Sequence, residues 1–110
     1  MSYHRALAIL EGLENKQFIR FDYVDNADTS RRCVIGALFK AVGVAVMSPE
    51  RDGIVTLVAR DDAGLLRNAL THLDMSLAEA ELLQDVNDVG AMTPEARYDK
   101  VLAWLKEECS

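Results

Sequence analysis

The sequence predicts an α+β fold, mostly helical, in a single domain that spans residues 1–110. Two patterns predict it: five segments carry apolar residues at three- and four-residue spacing, and two β-branched runs flank a turn that contains Asp52-Gly53. Length is the third observation, because 110 residues fill one hydrophobic core and not two. We therefore expect about five helices with a small β-hairpin or a three-stranded antiparallel sheet.

The N-terminal part is predicted to contain two helices and a strand. Amphipathic spacing favours a helix over residues 3–14, and alternating apolar residues favour a strand over residues 18–24. Residues 31–42 predict the most apolar helix, and such a helix must be covered by most of its neighbours. Its narrow polar strip consists of Arg32, Gly36 and Lys40. We expect this helix to be the most buried element.

The middle of the chain has the composition of a β-hairpin. Residues 44–47 and 54–59 are rich in Val and Ile, and the six residues between them contain Pro49 and the Asp52-Gly53 pair. An isolated hairpin is only marginally stable, so residues 18–24 are the expected third strand.

Three helix starts are predicted in the C-terminal half. Asp62 is the expected cap of a helix that ends near residue 73. Ser76 and Glu79 have the spacing of a capping box, which opens a helix that ends near residue 88. Thr93 before Pro94 predicts the start of a final helix that runs to about residue 107.

The charge balance favours protein partners over nucleic acid. The net charge is −6, and residues 56–110 hold five basic and eleven acidic side chains, whereas residues 1–55 hold seven of each. Proteins that bind phosphates directly concentrate Lys and Arg, so we expect neither DNA nor RNA as a direct ligand. Glu11 and Glu14 are atypical of a signal peptide, and no apolar run is long enough for a membrane span. The expected location is the cytoplasm.

The predicted helix over 76–88 carries an acidic stripe. Glu81, Asp85 and Asp88 fall within about 60° of one another around the helix axis. The opposite arc, with Leu82, Leu83 and Val86, is predicted to pack inward. Like charges at this spacing destabilise an isolated helix slightly, and no lysine stands among them. Two explanations remain open: a solvated face, or a surface for a basic partner.

Trp104, the only tryptophan, lies beside the apolar stripe of the last predicted helix. One interpretation places it at the edge of the core. The other makes it an interface anchor, a role in which tryptophan is enriched.

Cys33 is the one candidate nucleophile. A helix start beside Arg31 and Arg32 favours the thiolate, but a nucleophile also needs a base, and His4 and His72 are the only histidines. Free cysteine is commonly buried, which favours a structural thiol. Cys33 and Cys109 match no metal spacing, so neither a metal nor a cofactor is expected. The segment from Asp85 to Gly90 resembles a calcium loop, but Val89 and Ala96 occupy positions that need oxygen ligands.

From residue 31 onward the order of motifs resembles a group of small phage and bacterial proteins of unknown function. The shared features are a C-x-x-G-x-L helix start (residues 33–38), an Asp-Gly turn (52–53), a Leu-rich helix (65–73), an L-x-x-x-N-D-x-G segment (83–90) and a final amphipathic helix (98–105). Pro94-Glu95 departs from the Ser-Phe that opens the last helix in that group. The resemblance implies a mobile-element context and supplies no catalytic residues. A small, acidic phage-type protein without catalytic motifs also suggests, by analogy, an inhibitor of host defence such as an anti-CRISPR protein.

These observations predict a small acidic protein-binding module that inhibits a basic, nucleic-acid-handling protein. The predicted partner-binding residues are Glu81, Asp85, Asp88 and Trp104. A toxin-neutralising immunity protein would have the same features, and a small Cys33-dependent enzyme is the competing class.

Overall fold

Six α-helices make up the described part of the chain in the computed structural model, which describes residues 3–19, 32–44, 53–89 and 93–109. In chain order they are α1 (His4–Glu11), α2 (Val34–Ala41), α3 (Ile54–Arg60), α4 (Leu65–His72), α5 (Leu77–Asp88) and α6 (Pro94–Cys109).

The predicted α+β fold is wrong. The described residues contain no β-strand, and residues 54–59, predicted as the second hairpin strand, form α3. Ile54 and Val58 are both buried, so an i, i+4 pair places one face of α3 on the core. The side-chain Oε1 of Gln84 on α5 accepts a hydrogen bond from the backbone N–H of Ile54 at 3.1 Å, which satisfies one of the free donors at the helix start. Tertiary contacts therefore override the β-propensity of this run.

The other two predicted strands fall mostly outside the described residues. Of residues 18–24, only Phe18 and Ile19 are described, and Phe18 makes an isolated parallel bridge with Arg32. Of residues 44–47, only Val44 is described, and it lies outside any helix or strand just after α2. The turn residues 48–52 also lie outside the described ranges.

The predicted helix starts are confirmed at α5 and α6 and shifted at α4. Ser76 and Glu79 form a complete capping box: the Ser76 side chain accepts from the Glu79 N–H, and the Glu79 carboxylate accepts from the Ser76 N–H. The hydroxyl of Thr93 accepts from the Ala96 N–H at 3.1 Å. At α4 the N-cap is Gly64 and not Asp62, and the Asp61 carboxylate accepts from the Leu66 N–H in the first turn at 2.6 Å.

α2 is the most buried helix of the described residues, as predicted, although it begins at Val34 and not at residue 31. Five of its eight residues are buried: Val34, Ile35, Gly36, Leu38 and Phe39. The predicted polar strip is only partly correct, because Lys40 is exposed whereas Gly36 and Arg32 are buried.

α5 is the central helix of the arrangement and packs against α6, α2 and α3. α1 covers α2 and α6, and the Tyr98 hydroxyl of α6 donates to the Leu10 carbonyl of α1 at 2.7 Å. The remaining helix, α4, packs on α2 and α3. One face of α5 is therefore left without a helix against it among the described residues.

Candidate protein-binding surface

The outward side of α5 combines acidic and apolar side chains. Its inward side consists of Ala80, Leu83 and Asn87, which are buried at i, i+3 and i+7 spacing. Opposite them lie Glu81, Leu82 and Asp85, followed by Val89, the C-cap residue just after the helix; we call these four residues the α5 outer face. All four side chains are exposed, with Leu82 at 49% and Val89 at 64% of their full area.

The prediction that Leu82 packs inward is wrong, and Val89 was not among the predicted site residues. The core side of α5 is set by Ala80 as much as by Leu83. Leu82 lies two positions after Ala80, on the opposite side of the helix, and therefore points away from the core. Leu82 and Val89 are seven residues apart in the sequence. Because seven residues make nearly two helical turns, this spacing indicates that both residues face the same side.

Asp88 lies at the margin of this face and is half-buried. Its carboxylate accepts a hydrogen bond from the Asn87 amide at 2.9 Å. That amide also donates to the Ile19 carbonyl at 2.9 Å, while the Asn87 Oδ1 accepts from the Val34 N–H at 3.0 Å. Asp88 thus helps to orient the buried Asn87 side chain, whose hydrogen bonds connect α5 with α2 and with the segment after α1. Glu81 and Asp85 are the two carboxylates of the predicted stripe that are fully available to a partner.

Trp104 lies on a different flank of α5. Its ring packs edge-on against Tyr3 with the centroids 5.1 Å apart, and the Tyr3 hydroxyl donates to the Glu79 carbonyl of α5. Glu79 and Glu81 are two residues apart and so diverge by about 200° around the helix axis. Trp104 is half-buried against the core at this second flank. The structure therefore groups Glu81 with Asp85 and separates both from Trp104.

Burial also fixes the protonation of Tyr3. The pKa of its hydroxyl is raised to about 12, mainly because burial disfavours the phenolate, and the negative charges of Glu79 and Glu108 add to the shift. The hydroxyl remains a hydrogen-bond donor at neutral pH.

Cys33 is a core residue and the N-terminal cap of α2. Its sulfur accepts from the Gly36 N–H at 3.4 Å. Burial raises the pKa of the thiol to about 12, outweighing the hydrogen bond from Gly36 that lowers it. The predicted burial of Cys33 is confirmed. Within the described ranges, no group of three or more His, Cys, Asp or Glu side chains is placed to hold a metal ion.

Comparisons with protein-family models, with curated proteins and with solved structures find no match to this chain. Among the described helices, none combines the length and apolar character that a bilayer crossing requires.

Proposed function

We propose that this protein is a protein-binding module whose α5 outer face docks on a basic protein partner. One observation carries the proposal: Leu82 and Val89 are exposed on the same side of a helix as the exposed carboxylates Glu81 and Asp85. Apolar side chains next to charged ones have the composition of a binding site with an apolar centre and a polar rim.

Charge complementarity indicates the class of partner. Residues 61–88 hold seven carboxylates and one arginine, so the field around α5 is negative. Proteins that handle nucleic acids present Lys and Arg in the surface that contacts phosphates. An acidic helix face that occupies such a surface excludes the nucleic acid from it. The proposed activity is therefore inhibition of a basic, nucleic-acid-handling protein, and the proposed location is the cytoplasm.

The first experiment compares capture by matched variants. Bait proteins carrying Glu81→Lys with Asp85→Lys, or Leu82→Ala, are used beside two controls on other surfaces. Glu11→Lys with Asp99→Lys alters exposed acids on α1 and α6, and Leu65→Ala removes an exposed leucine (55%) from α4. We expect a basic protein that both controls retain and both α5 variants lose. Equal capture by all four variants contradicts the proposal.

The second experiment tests inhibition directly. The captured protein is purified, loaded with a fluorescent oligonucleotide and titrated with the wild-type chain. We expect displacement of the oligonucleotide by the wild type and by the Leu65→Ala control, with a much weaker effect of Leu82→Ala. If a ternary complex forms without displacement, the inhibitor proposal fails, while docking through α5 stands on the first experiment.

A further inference from the structure

A cleft of about 220 Å³ lies between α2 and the segment that follows α1, away from the α5 outer face. Charged side chains of both signs line it, together with two amides and apolar groups; the lining includes Arg32, Lys40, Glu14, Gln17, Leu13 and Ala37. Its volume is below the range of about 300–1,000 Å³ that is typical of sites for drug-sized molecules, so it suits a smaller ligand.

Arg32 is the unusual member of this lining. Only 7% of it is exposed, and its Nε and Nη1 atoms are buried with no hydrogen-bond partner in the described part of the chain. The backbone around it is fixed, because its carbonyl accepts from the Ile19 N–H at 3.1 Å. The guanidinium group has five N–H donors and no acceptor, so it needs acceptor groups as partners. Buried charges are normally paired, and Arg32 is one of the residues that line the cleft.

We propose that the cleft binds a small monocarboxylate that has an apolar portion. Among the described lining residues, Arg32 and Lys40 supply two positive charges and Glu14 one negative charge, which leaves a net charge of +1 to match a single carboxylate. Guanidinium groups bind carboxylates through short, charge-assisted hydrogen bonds. Leu13 and Ala37, both half-buried, provide the wall for the apolar portion. A phosphate dianion matches the site less well, because Glu14 repels the second negative charge.

This site and the α5 outer face are built from different elements, so each proposal stands without the other. The cleft uses residues before and within α2, whereas the outer face lies on α5. Ligand binding to the cleft can therefore be measured without a protein partner.

The experiment measures binding of sodium benzoate by the wild-type chain, through amide chemical shifts and the melting temperature. Benzamide is the neutral probe of the same shape, and inorganic phosphate at equal ionic strength is the second anion. We expect saturable binding of benzoate with a raised melting temperature, little response to benzamide, and weaker binding of phosphate.

Variants at exposed lining residues keep the test independent of folding. Lys40→Gln is expected to weaken benzoate binding about threefold, and Glu14→Gln is expected to strengthen it about threefold. Both effects are small because solvent partly screens these exposed charges. Arg32→Lys is expected to abolish binding, and its circular dichroism spectrum reports whether it folds. The proposal is overturned if benzoate fails to saturate, if benzamide or phosphate binds as well, or if Lys40→Gln and Glu14→Gln leave the affinity unchanged.

Discussion

The thiol of Cys33 illustrates how burial sets the chemistry of a single residue. With the pKa raised to about 12, it stays protonated and shielded from reagents. In the native protein we expect iodoacetamide to modify the half-exposed Cys109 and to spare Cys33, whereas both react in urea. Mass spectrometry of the labelled peptides checks this. Equally fast labelling of Cys33 in the native protein contradicts it.

The same shift predicts the sign of a pH effect on stability. Because the thiol binds its proton more tightly in the folded state, its contribution is fully present below the ordinary pKa of 9.0 and is lost as the pH rises toward about 12. Cys33→Ser removes that contribution and leaves the other titrating groups in place. We therefore expect urea midpoints of the wild type to fall more steeply than those of Cys33→Ser above pH 9.0.

We also expect Cys33→Ser to keep partner binding intact.

Trp104 gives a second prediction for a single side chain. Trp104→Ala removes the edge-on contact with Tyr3, and such aromatic pairs contribute about 0.5–1.5 kcal/mol beyond the buried area. We expect a lower melting temperature with an unchanged dissociation rate of the partner, because Trp104 and the α5 outer face lie on different flanks. Surface-based kinetics checks the second part. Faster dissociation would make Trp104 the interface anchor that the sequence predicts.

Among the helices, α2 contributes most to the core for its length. Leu38→Ala leaves a cavity beneath it, and we expect the free energy of unfolding to fall by about 2–5 kcal/mol. Lys40→Ala on the exposed side of the same helix is the matched control, with an expected change within about 0.5 kcal/mol. Urea denaturation measures both. A Leu38→Ala midpoint close to that of the control contradicts the assignment of α2 to the core.

α3 allows a direct test of helix against strand. Val55 and Thr56 are exposed, and alanine is favoured over both in a helix but disfavoured in a strand. We expect Val55→Ala with Thr56→Ala to raise the free energy of unfolding by about 0.5–1 kcal/mol. A loss of similar size in urea denaturation would support the hairpin instead.

Local signals predicted the helix starts well because capping is local. Ser76 bonds with Glu79, and the Thr93 hydroxyl accepts from the Ala96 N–H, so each capping interaction spans only three residues of the sequence. α3 was missed because its helical state depends on Gln84, thirty residues away, and on a buried i, i+4 pair that β-branched composition obscures. The same limit applies to the sites. The carboxylates of Glu81 and Asp85 are visible in sequence, but the burial of Arg32 appears only in the folded structure.

The negative field belongs to the molecule as a whole and is expected to speed association with a basic partner. Glu81→Lys with Asp85→Lys moves the net charge from −6 to −2, since each reversal adds two. The Glu11→Lys, Asp99→Lys control makes the same change elsewhere. We expect only the first variant to lose a factor of about ten or more in association rate at low salt, with a smaller difference at physiological salt. Asp88 is left unchanged because it orients Asn87.

Stopped-flow or surface-based kinetics at two salt concentrations measures these rates. Equal slowing by both variants would mean that net charge alone steers the partner. An unchanged rate in both would identify the acidic stripe as a solvated face.

The packing of α1 on α6 sets the time at which this fold can be completed during synthesis. Leu10 and Tyr98, whose carbonyl and hydroxyl are bonded, are 88 positions apart. At translation rates of about 5–20 residues per second, Leu10 is synthesised roughly 4–18 s before Tyr98. During that interval the apolar side of α1 lacks its final cover and is open to chaperones. Trp104, which meets Tyr3 when α6 docks on α1, is a built-in fluorescent reporter of that last step.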